Sequence, residues 1–510
     1  MGKSIPQNIM NKEIALNKNA IVAYLGKTAN EFTKDDIIKY VVENNIQMIN
    51  FMYPAGDGRL KTLNFMVNSL EYLETILTSG ERVDGSSLFS FIEAGNSDLY
   101  AIPRFRTAFV DPFSEIPTLD MLCSFFDKDG NPMESSPEYT LSKACRVFRE
   151  KTGLEFHAMG ELEYYVIGEN DGRFPATDQR NYHESAPFAK FNDFRTKSMA
   201  YIAQAGGQIK YGHSEVGNFT LGNLIYEQNE IEFLPVPAEE AADQLIVAKW
   251  IIRNLAYREG LDVTFAPKIT TGKAGSGLHI HMRLMKDGKN MMLDNNHKLS
   301  EEARKMIAGI MELAPSITAF GNTNPTSYFR LVPHQEAPTN ICWGDRNRSV
   351  LVRVPLGWTS DVDMCSLANP GTPSSDFDAS QKQTVEIRSA DGSADLYQLL
   401  AGLAVAARHG FELPDALDIA DRNYVSVNIH NAENAEKLSV LKQLPGNCCE
   451  SADCLEQQRD IYEKDGIFSS RMIDGIENQL RSYNDRETAR LAKENPMVMQ
   501  DLVNKYFYCG

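Results

Sequence analysis

The chain has 510 residues, of which 43% are hydrophobic and 24% charged, an ordinary globular composition with ample length for a buried core. Its 51 basic against 69 acidic side chains give a net charge of −18. Such a surface repels phosphate backbones, which excludes nucleic acid and anionic membranes as partners; small anionic substrates stay open because they feel the local field of a pocket.

Taken in chain order, residues 1–20 read as an N-terminal extension. MGKSIPQNIMNKEIALNKNA has no apolar stretch long enough for a signal peptide, and Pro6 stands where a myristoylation motif needs Ser or Thr. From about 20 to 113, short strand-like runs such as IQMINFMY alternate with Gly- and Pro-punctuated turns. Turn residues cluster in FDKDGNPMESSPEYTL, and a helix is predicted to start beyond Ser135–Ser136–Pro137. A boundary near residue 130 therefore divides a small domain, 21–130, from a large one, 131–510. In the second part the patterning predicts helices over 137–151, 185–206, 238–259 and 300–314, and strands over 155–167, 228–234, 276–285 and 348–354. Residues 368–380 read as a long loop. The longest clean apolar run, Leu399–Ala407, falls far short of the roughly 20 residues of a membrane span. The end of the chain, from about 455, reads as helical with a break at Asn495–Pro496. Eight irregularly spaced cysteines point to a reduced, cytoplasmic protein; Cys448, Cys449 and Cys454, with no histidine nearby, read as a plain loop. The fold class is α+β.

Several strand-like segments share one arithmetic pattern. Glu161 and Glu163 are two apart, as are Glu230 and Glu232, His279 and His281, and Glu386 and Arg388. Side chains at i and i+2 of a strand share a face, so Leu162, Ile231, Ile280 and Ile387 point the other way, into a core. One such strand is most simply a half-buried one with a wet face. Four, all rich in carboxylate or imidazole, point to a shared site, and carboxylates gathered on one face need a cation. Carboxylates with imidazole suit Mg²⁺ or Mn²⁺. Arg330, Arg346, Arg348 and Arg353 add guanidinium groups suited to bidentate capture of carboxylate or phosphate. No phosphate-cradling P-loop accompanies them, because Ala274 follows Gly272–Lys273 where Ser or Thr is required.

The order of these motifs resembles the glutamine synthetase family. DGSS (84–87) with SDLY resembles the family's aspartate loop, GELEYY its Glu-x-Glu strand, HSEVG its single-glutamate strand and EQNEIEF the next metal-ligand segment. GSGLHIH resembles its glycine loop with two histidines, NPTSYFRLVPHQEAP its glutamate flap, RNRSVLVRVP its phosphate-binding arginines, and VEIRSADGSADLYQ its last metal glutamate with a substrate arginine. The resemblance implies a small N-terminal β-grasp domain followed by a large catalytic domain with a curved antiparallel sheet and helices. It also implies a homo-oligomer, a dodecamer of two hexameric rings, with sites between subunits.

Residue by residue, the resemblance assigns Glu163, Glu215 and Glu230 to one Mg²⁺ (or Mn²⁺) and Glu161, His279 and Glu386 to a second, with two to three ions per site. Arg330 and Arg388 would clamp the α-carboxylate of glutamate, and Gly275 would meet its amino group. His281, Arg348 and Arg353 would face the phosphates of ATP. Asp84 from the adjacent subunit would deprotonate ammonium, with Ser87, Tyr182 and Glu215 nearby, and Glu336 would close over the site. The implied reaction forms glutamine from glutamate and ammonium through γ-glutamyl phosphate.

The sequence departs from the family pattern in places. Ala274 replaces the usual Asn, HQEAP replaces GYEAP before the flap glutamate, and Thr384 stands where an Arg is common, with Lys382 as a candidate substitute. The stretches 215–230 and 353–386 are longer than usual. Two further readings follow. One is a ligase joining glutamate to an organic amine such as a polyamine, a reading that Cys342–Trp343–Gly344 resembles in its relatives. The other is a ring-forming regulatory protein without turnover.

Overall fold

The computed structural model describes residues 14–89, 91–92, 97–332, 337–357, 362–373, 378–427 and 440–510, and it is built on two sheets. The first has strands β1 (Met48–Pro54), β2 (Leu60–Met66), β3 (Glu81–Asp84), β4 (Asp98–Pro103), β5 (Phe109–Val110) and β6 (Thr118–Phe126). Its order is β2-β1-β6-β4-β3, with β5 also on β6; β1 and β6 run parallel and the other pairs antiparallel. Period-2 alternation divides its side chains between two cores. Ile49, Phe51, Leu119 and Met121 pack with Ile37, Tyr40, Leu73 and Ile76 of helices Lys34–Glu43 and Leu70–Ser79. Met52 and Leu122, on the opposite face, join the core of the larger unit.

That larger unit is built on β7 (Glu155–Glu169), β8 (Ile209–Leu221), β9 (Leu224–Phe233), β10 (Val236–Pro237), β11 (Asp262–Thr264), β12 (Leu278–Lys286), β13 (Lys289–Asn290), β14 (Trp343–Asp345), β15 (Val352–Val354) and β16 (Val385–Ile387). The central order is β14-β15-β16-β12-β7-β9-β8, antiparallel except for β14 with β15. Leu162, Ile231, Ile280 and Ile387 are buried on the side covered by helices, as the alternation predicts. Gly160 lets helix Ala238–Glu259 come close: a Cβ there would lie 2.8 Å from Leu245. The two units are joined by an ionic knot. Asp243 of that helix, buried, accepts two hydrogen bonds from Arg104 at 2.8 Å, one from Arg106 at 2.6 Å and one from Tyr397 at 2.7 Å. Among the described residues, no helix is long and apolar enough to cross a membrane.

The helices expected at 137–151 and 238–259 form as Pro137–Thr152 and Ala238–Glu259. The helix expected over 185–206 is shorter, Asn192–Gln204. Its start is set from outside: the buried Glu227 carboxylate accepts the N–H groups of Lys190 and Phe191, the two residues just before the helix, at 2.6 and 3.2 Å and so pins the chain where the helix begins. The helix expected to stop at 314 runs on through Pro315 to Gly321, carried by the buried stretch Ile317–Phe320. The strand expected over 348–354 is only Val352–Val354, because Asn347 accepts the Ser349 N–H and hydroxyl and holds a turn. The cysteine cluster is not a loop. Cys448 opens the helix Cys448–Glu463, with Asn447 accepting the Glu450 N–H and Asp485 accepting those of Cys448 and Cys449. Of the loop expected over 368–380, residues 374–377 lie outside the described residues; Ala368 ends a short helix and Ala379 begins a 3₁₀ turn.

Candidate active site

On the face of the large sheet away from the helices, three rows of polar residues lie side by side. Strand register sets Tyr211, Glu232, Glu161 and His279 in one row and His213, Glu230 and Glu163 in the next. Glu386 lies between His281 and Arg353 in the third. They line a pocket of about 480 Å³ that also receives Glu215, Gly275, Tyr182 and the arginines 330, 348 and 388. The six residues expected to hold metal are therefore in one pocket, together with every residue expected at glutamate and phosphates.

Two expected residues are elsewhere. Asp84 ends strand β3 of the first sheet and Ser87 lies in the helical turn that follows it, and neither is among the residues lining this pocket in the single chain. Asp84 caps the short turn Gly85–Leu88, accepting from Ser86 N and Oγ at 3.0 and 2.7 Å and from Ser87 Oγ at 2.8 Å. The hydroxyls of Ser86, Ser87 and Ser97 hold its exposed carboxyl well below the usual range, so it stays ionised. Glu336 lies outside the described residues.

Inside the pocket, acid and imidazole pair tightly. Glu161 bridges His279 Nδ1 and His281 Nε2, both at 2.8 Å, and His281 Nδ1 meets Thr384 Oγ1 at 2.8 Å. Burial pushes the Glu161 carboxyl up, but the two imidazoles outweigh it and hold the group well below the carboxylate range. For His281, burial opposes the charged form, yet Glu161 and Glu386 together raise it. Glu386 is also flanked by Arg353 and Arg388, each 3.0 Å away. Glu230 has the opposite fate: burial, then repulsion from Glu161, Glu163, Glu215 and Glu232, pushes its carboxyl well above normal. Carboxylates gathered this closely repel one another unless positive charge lies among them. Two ligand groups have donor atoms within 4.8 Å of one another, Glu161–His281–Glu386 and His213–Glu230–Glu232; they differ from the expected trios in holding His281 in place of His279, and His213 and Glu232 in place of Glu163 and Glu215. Oxygen with imidazole nitrogen is a donor set for Mg²⁺ or Mn²⁺, so these residues fit divalent cations.

The walls are held by backbone and amide contacts. Arg330, buried, donates to the Ser389, Ala390 and Arg388 carbonyls at 2.9, 3.2 and 3.3 Å, which fixes its guanidinium under the glycine loop. Glu163 accepts from Gly277 N at 2.7 Å and from Gln228 Nε2 at 3.1 Å. Ala274 gives its N–H to Gln179 Oε1 at 2.7 Å and its carbonyl to the Tyr165 hydroxyl at 2.9 Å. The 215–230 stretch forms the end of the β8–β9 hairpin, paired out to Leu221 and Leu224.

Several pocket residues had no assigned role. Glu232 is placed on the site face by its alternation with Glu230, and Tyr211 and His213 repeat the same spacing one strand away, so a period-2 reading could have found those two as well. Gln228 is in the same period-2 phase as Glu230 and Glu232 on β9, whereas Lys210 is out of step with Tyr211 and His213 and carries no such signal. Trp343 faces away from the pocket: it is buried, donating to the Ala420 carbonyl at 2.6 Å and edge-on to Tyr424.

The "Glutamine synthetase, catalytic domain" family matches residues 134–489, and the "Glutamine synthetase, beta-Grasp domain" family matches 45–128. Glutamine synthetase of Clostridium saccharobutylicum is 29% identical over 488 residues, covering 93% of this chain and 100% of that one. The enzyme of Methanococcus maripaludis is 31% identical over 330 residues, 63% of this chain and 72% of its own. Plasmodium falciparum glutamine synthetase superimposes with a TM-score of 0.72 at 18% identity, over 90% of this chain and 97% of that one. The structure described as "Apo GmaS without ligand" gives 0.69 at 19%, over 89% and 96%. At such identities the structural likeness shows the fold alone. With both family domains matched in order, the chain belongs to the glutamine synthetase family of ATP-dependent ligases.

Proposed function

We propose that the protein joins glutamate to ammonium at the expense of ATP, forming glutamine through γ-glutamyl phosphate. The observation that carries this reading is the pocket itself: carboxylates and imidazoles on its floor, with Arg330, Arg348, Arg353 and Arg388 beside them. The γ-phosphoryl group of ATP passes to a side-chain oxygen of glutamate and ADP leaves; the amine then displaces phosphate from the acyl carbon. The first step brings two anions together, so the residues must supply positive charge. Arg330 and Arg388 hold the α-carboxylate, Gly275 meets the amino group, and His281, Arg348 and Arg353 face the phosphates. Glu163, Glu215 and Glu230 hold one divalent ion and Glu161, His279 and Glu386 another; such ions, when bound, neutralise phosphate oxygens. Asp84 of an adjacent subunit, ionised and accessible, takes the proton from ammonium beside Ser87, Tyr182 and Glu215. Glu336 covers the acyl phosphate against water. This arrangement divides the chain near residue 130 and requires a ring of subunits, in the family manner a dodecamer of two hexamers.

A second acceptor has its own support. The rings of Tyr182 and His183 stack at 4.1 Å, His213 lies 4.4 Å from His183 and 5.4 Å from Tyr182, and Tyr211 is 5.8 Å from His213. An aromatic wall beside Glu215, Glu230 and Glu232 suits an organic ammonium by cation–π attraction. One competition assay separates the two: protein, ATP, Mg²⁺ and glutamate with ammonium plus putrescine, spermidine and methylamine, read by mass spectrometry. Dominant glutamine supports the first reading, a γ-glutamyl-amine the second. The absence of both, with no ATP turnover, overturns both and favours a non-catalytic ring.

A further inference from the structure

Strand β8 carries one residue too many at its start. Ile209 pairs with Phe233 and Tyr211 with Glu232, so two steps on β8 oppose one on β9 and Lys210 is the extra residue. In regular pleating Lys210 and Tyr211 would point to opposite faces; a bulge breaks that alternation and re-aims a side chain. Here both line the pocket and both end on Glu232. Lys210 Nζ lies 2.6 Å from Glu232 Oε2 and 4.8 Å from the Tyr211 ring centre, and the Tyr211 hydroxyl also donates to Glu232. Glu232 is buried while Lys210 is 39% exposed, so the carboxylate is the anchor and the ammonium reaches into the opening. Stepping from Tyr211 to Lys210 moves from the row of His279 toward the row of His281, Glu386 and Arg353.

We propose that Lys210 is a further nucleotide-binding residue, which the bulge turns into the pocket and Glu232 steers onto the phosphate chain of ATP opposite Arg353. This inference rests on the reading of His281, Arg348 and Arg353 as the phosphate end of the site. A flexible ammonium suits that place, since it adds a point charge without the fixed geometry of a guanidinium. The pair with Glu232 keeps the cation at hand while the nucleotide is absent.

The test uses the full-length protein and its Lys210→Met and Lys210→Arg variants. ADP affinity with Mg²⁺ is measured by calorimetry, and KM is measured separately for ATP and glutamate. Loss of one charge-assisted contact raises the ADP Kd and the ATP KM by about 10- to 100-fold in Lys210→Met, with Lys210→Arg recovering most of it. The glutamate KM stays within about two-fold, a split that a purely structural ion pair does not produce. Nucleotide constants unchanged in Lys210→Met, with wild type binding ADP normally, overturn the role of Lys210 alone. Nucleotide and glutamate constants rising together with a lowered melting midpoint assign the pair to structure and also overturn it. Wild type that binds no ADP overturns both this proposal and the ATP reading beneath it.

Discussion

Replacing Gln228 by leucine tests how the floor of the pocket is held. Gln228 is 1% exposed and makes four hydrogen bonds with different parts of the site, the longest to Ser276 Oγ at 3.4 Å. Its Nε2 donates to the Gly275 carbonyl at 2.9 Å and to Glu163 at 3.1 Å, and its Oε1 accepts from Gly217 N at 3.1 Å. It thus ties the glycine loop, a metal-side carboxylate and the strand that follows Glu215. Gly217 cannot help by growing a side chain, since a Cβ would lie 2.5 Å from this same amide oxygen. Leucine fills a similar volume but leaves a buried N–H and a buried C=O unpaired, at about 1–3 kcal/mol each, and deprives Glu163 of one donor. The expected cost is about 3–5 kcal/mol, read as a lower urea midpoint, with the glutamate KM raised about ten-fold as the Gly275 loop loosens. Gln228→Glu separates shape from charge. It keeps the acceptor for Gly217 but puts a second carboxylate against Glu163, so its melting midpoint should rise more than that of wild type when Mn²⁺ is added. Wild-type stability and an unchanged glutamate KM in Gln228→Leu would refute the argument.

Other consequences follow from the same contacts. Asp243→Asn removes the charge that pairs Arg104 and Arg106 across the two units and should cost about 3–5 kcal/mol in chemical unfolding, because it leaves half-buried guanidiniums uncompensated; an unchanged midpoint would show that the knot is ornamental. Burial first, and then Arg253, depress the Lys249 ammonium to about 7, against 10.5 when free. Between these values the unfolded chain binds the extra proton, so stability rises with pH; below about 7 both forms are charged and this dependence disappears. From about pH 7 to about pH 9.5 wild type should gain as much as about 3 kcal/mol relative to Lys249→Met, and parallel curves would dismiss the assignment. If Asp84 completes a neighbour's pocket, Asp84→Ala and Glu163→Ala should each be inactive alone yet recover up to about a quarter of the activity when mixed oligomers are assembled in equal amounts. No recovery on mixing would argue that each chain is self-sufficient.

Much of the site can be read from the chain alone because its signal is local. Alternation depends only on the pleat, so Glu161 with Glu163 and His279 with His281 declare a common face without any knowledge of their neighbours, and Leu162 and Ile280 declare the core behind it. Helix starts marked by a Ser and a Pro, as at Ser136–Pro137, are legible for the same reason. What the sequence could not supply depends on partners far away in the chain. The helix at Asn192 begins where the carboxylate of Glu227, on a distant strand, pins the N–H groups of the two residues before it. The cysteines at 448 and 449 sit at a helix start that is anchored by Asp485. Gln228 is in step with Glu230 and Glu232 on its strand but owes its role to Glu163 and Gly275 across the sheet, and Lys210 belongs to the site only because one extra residue shifts its register. Residue type and spacing fix which side of a strand a group occupies. Which strands lie next to each other, and with what offset, is settled by the packing of the whole core, and that decides which charges share a pocket.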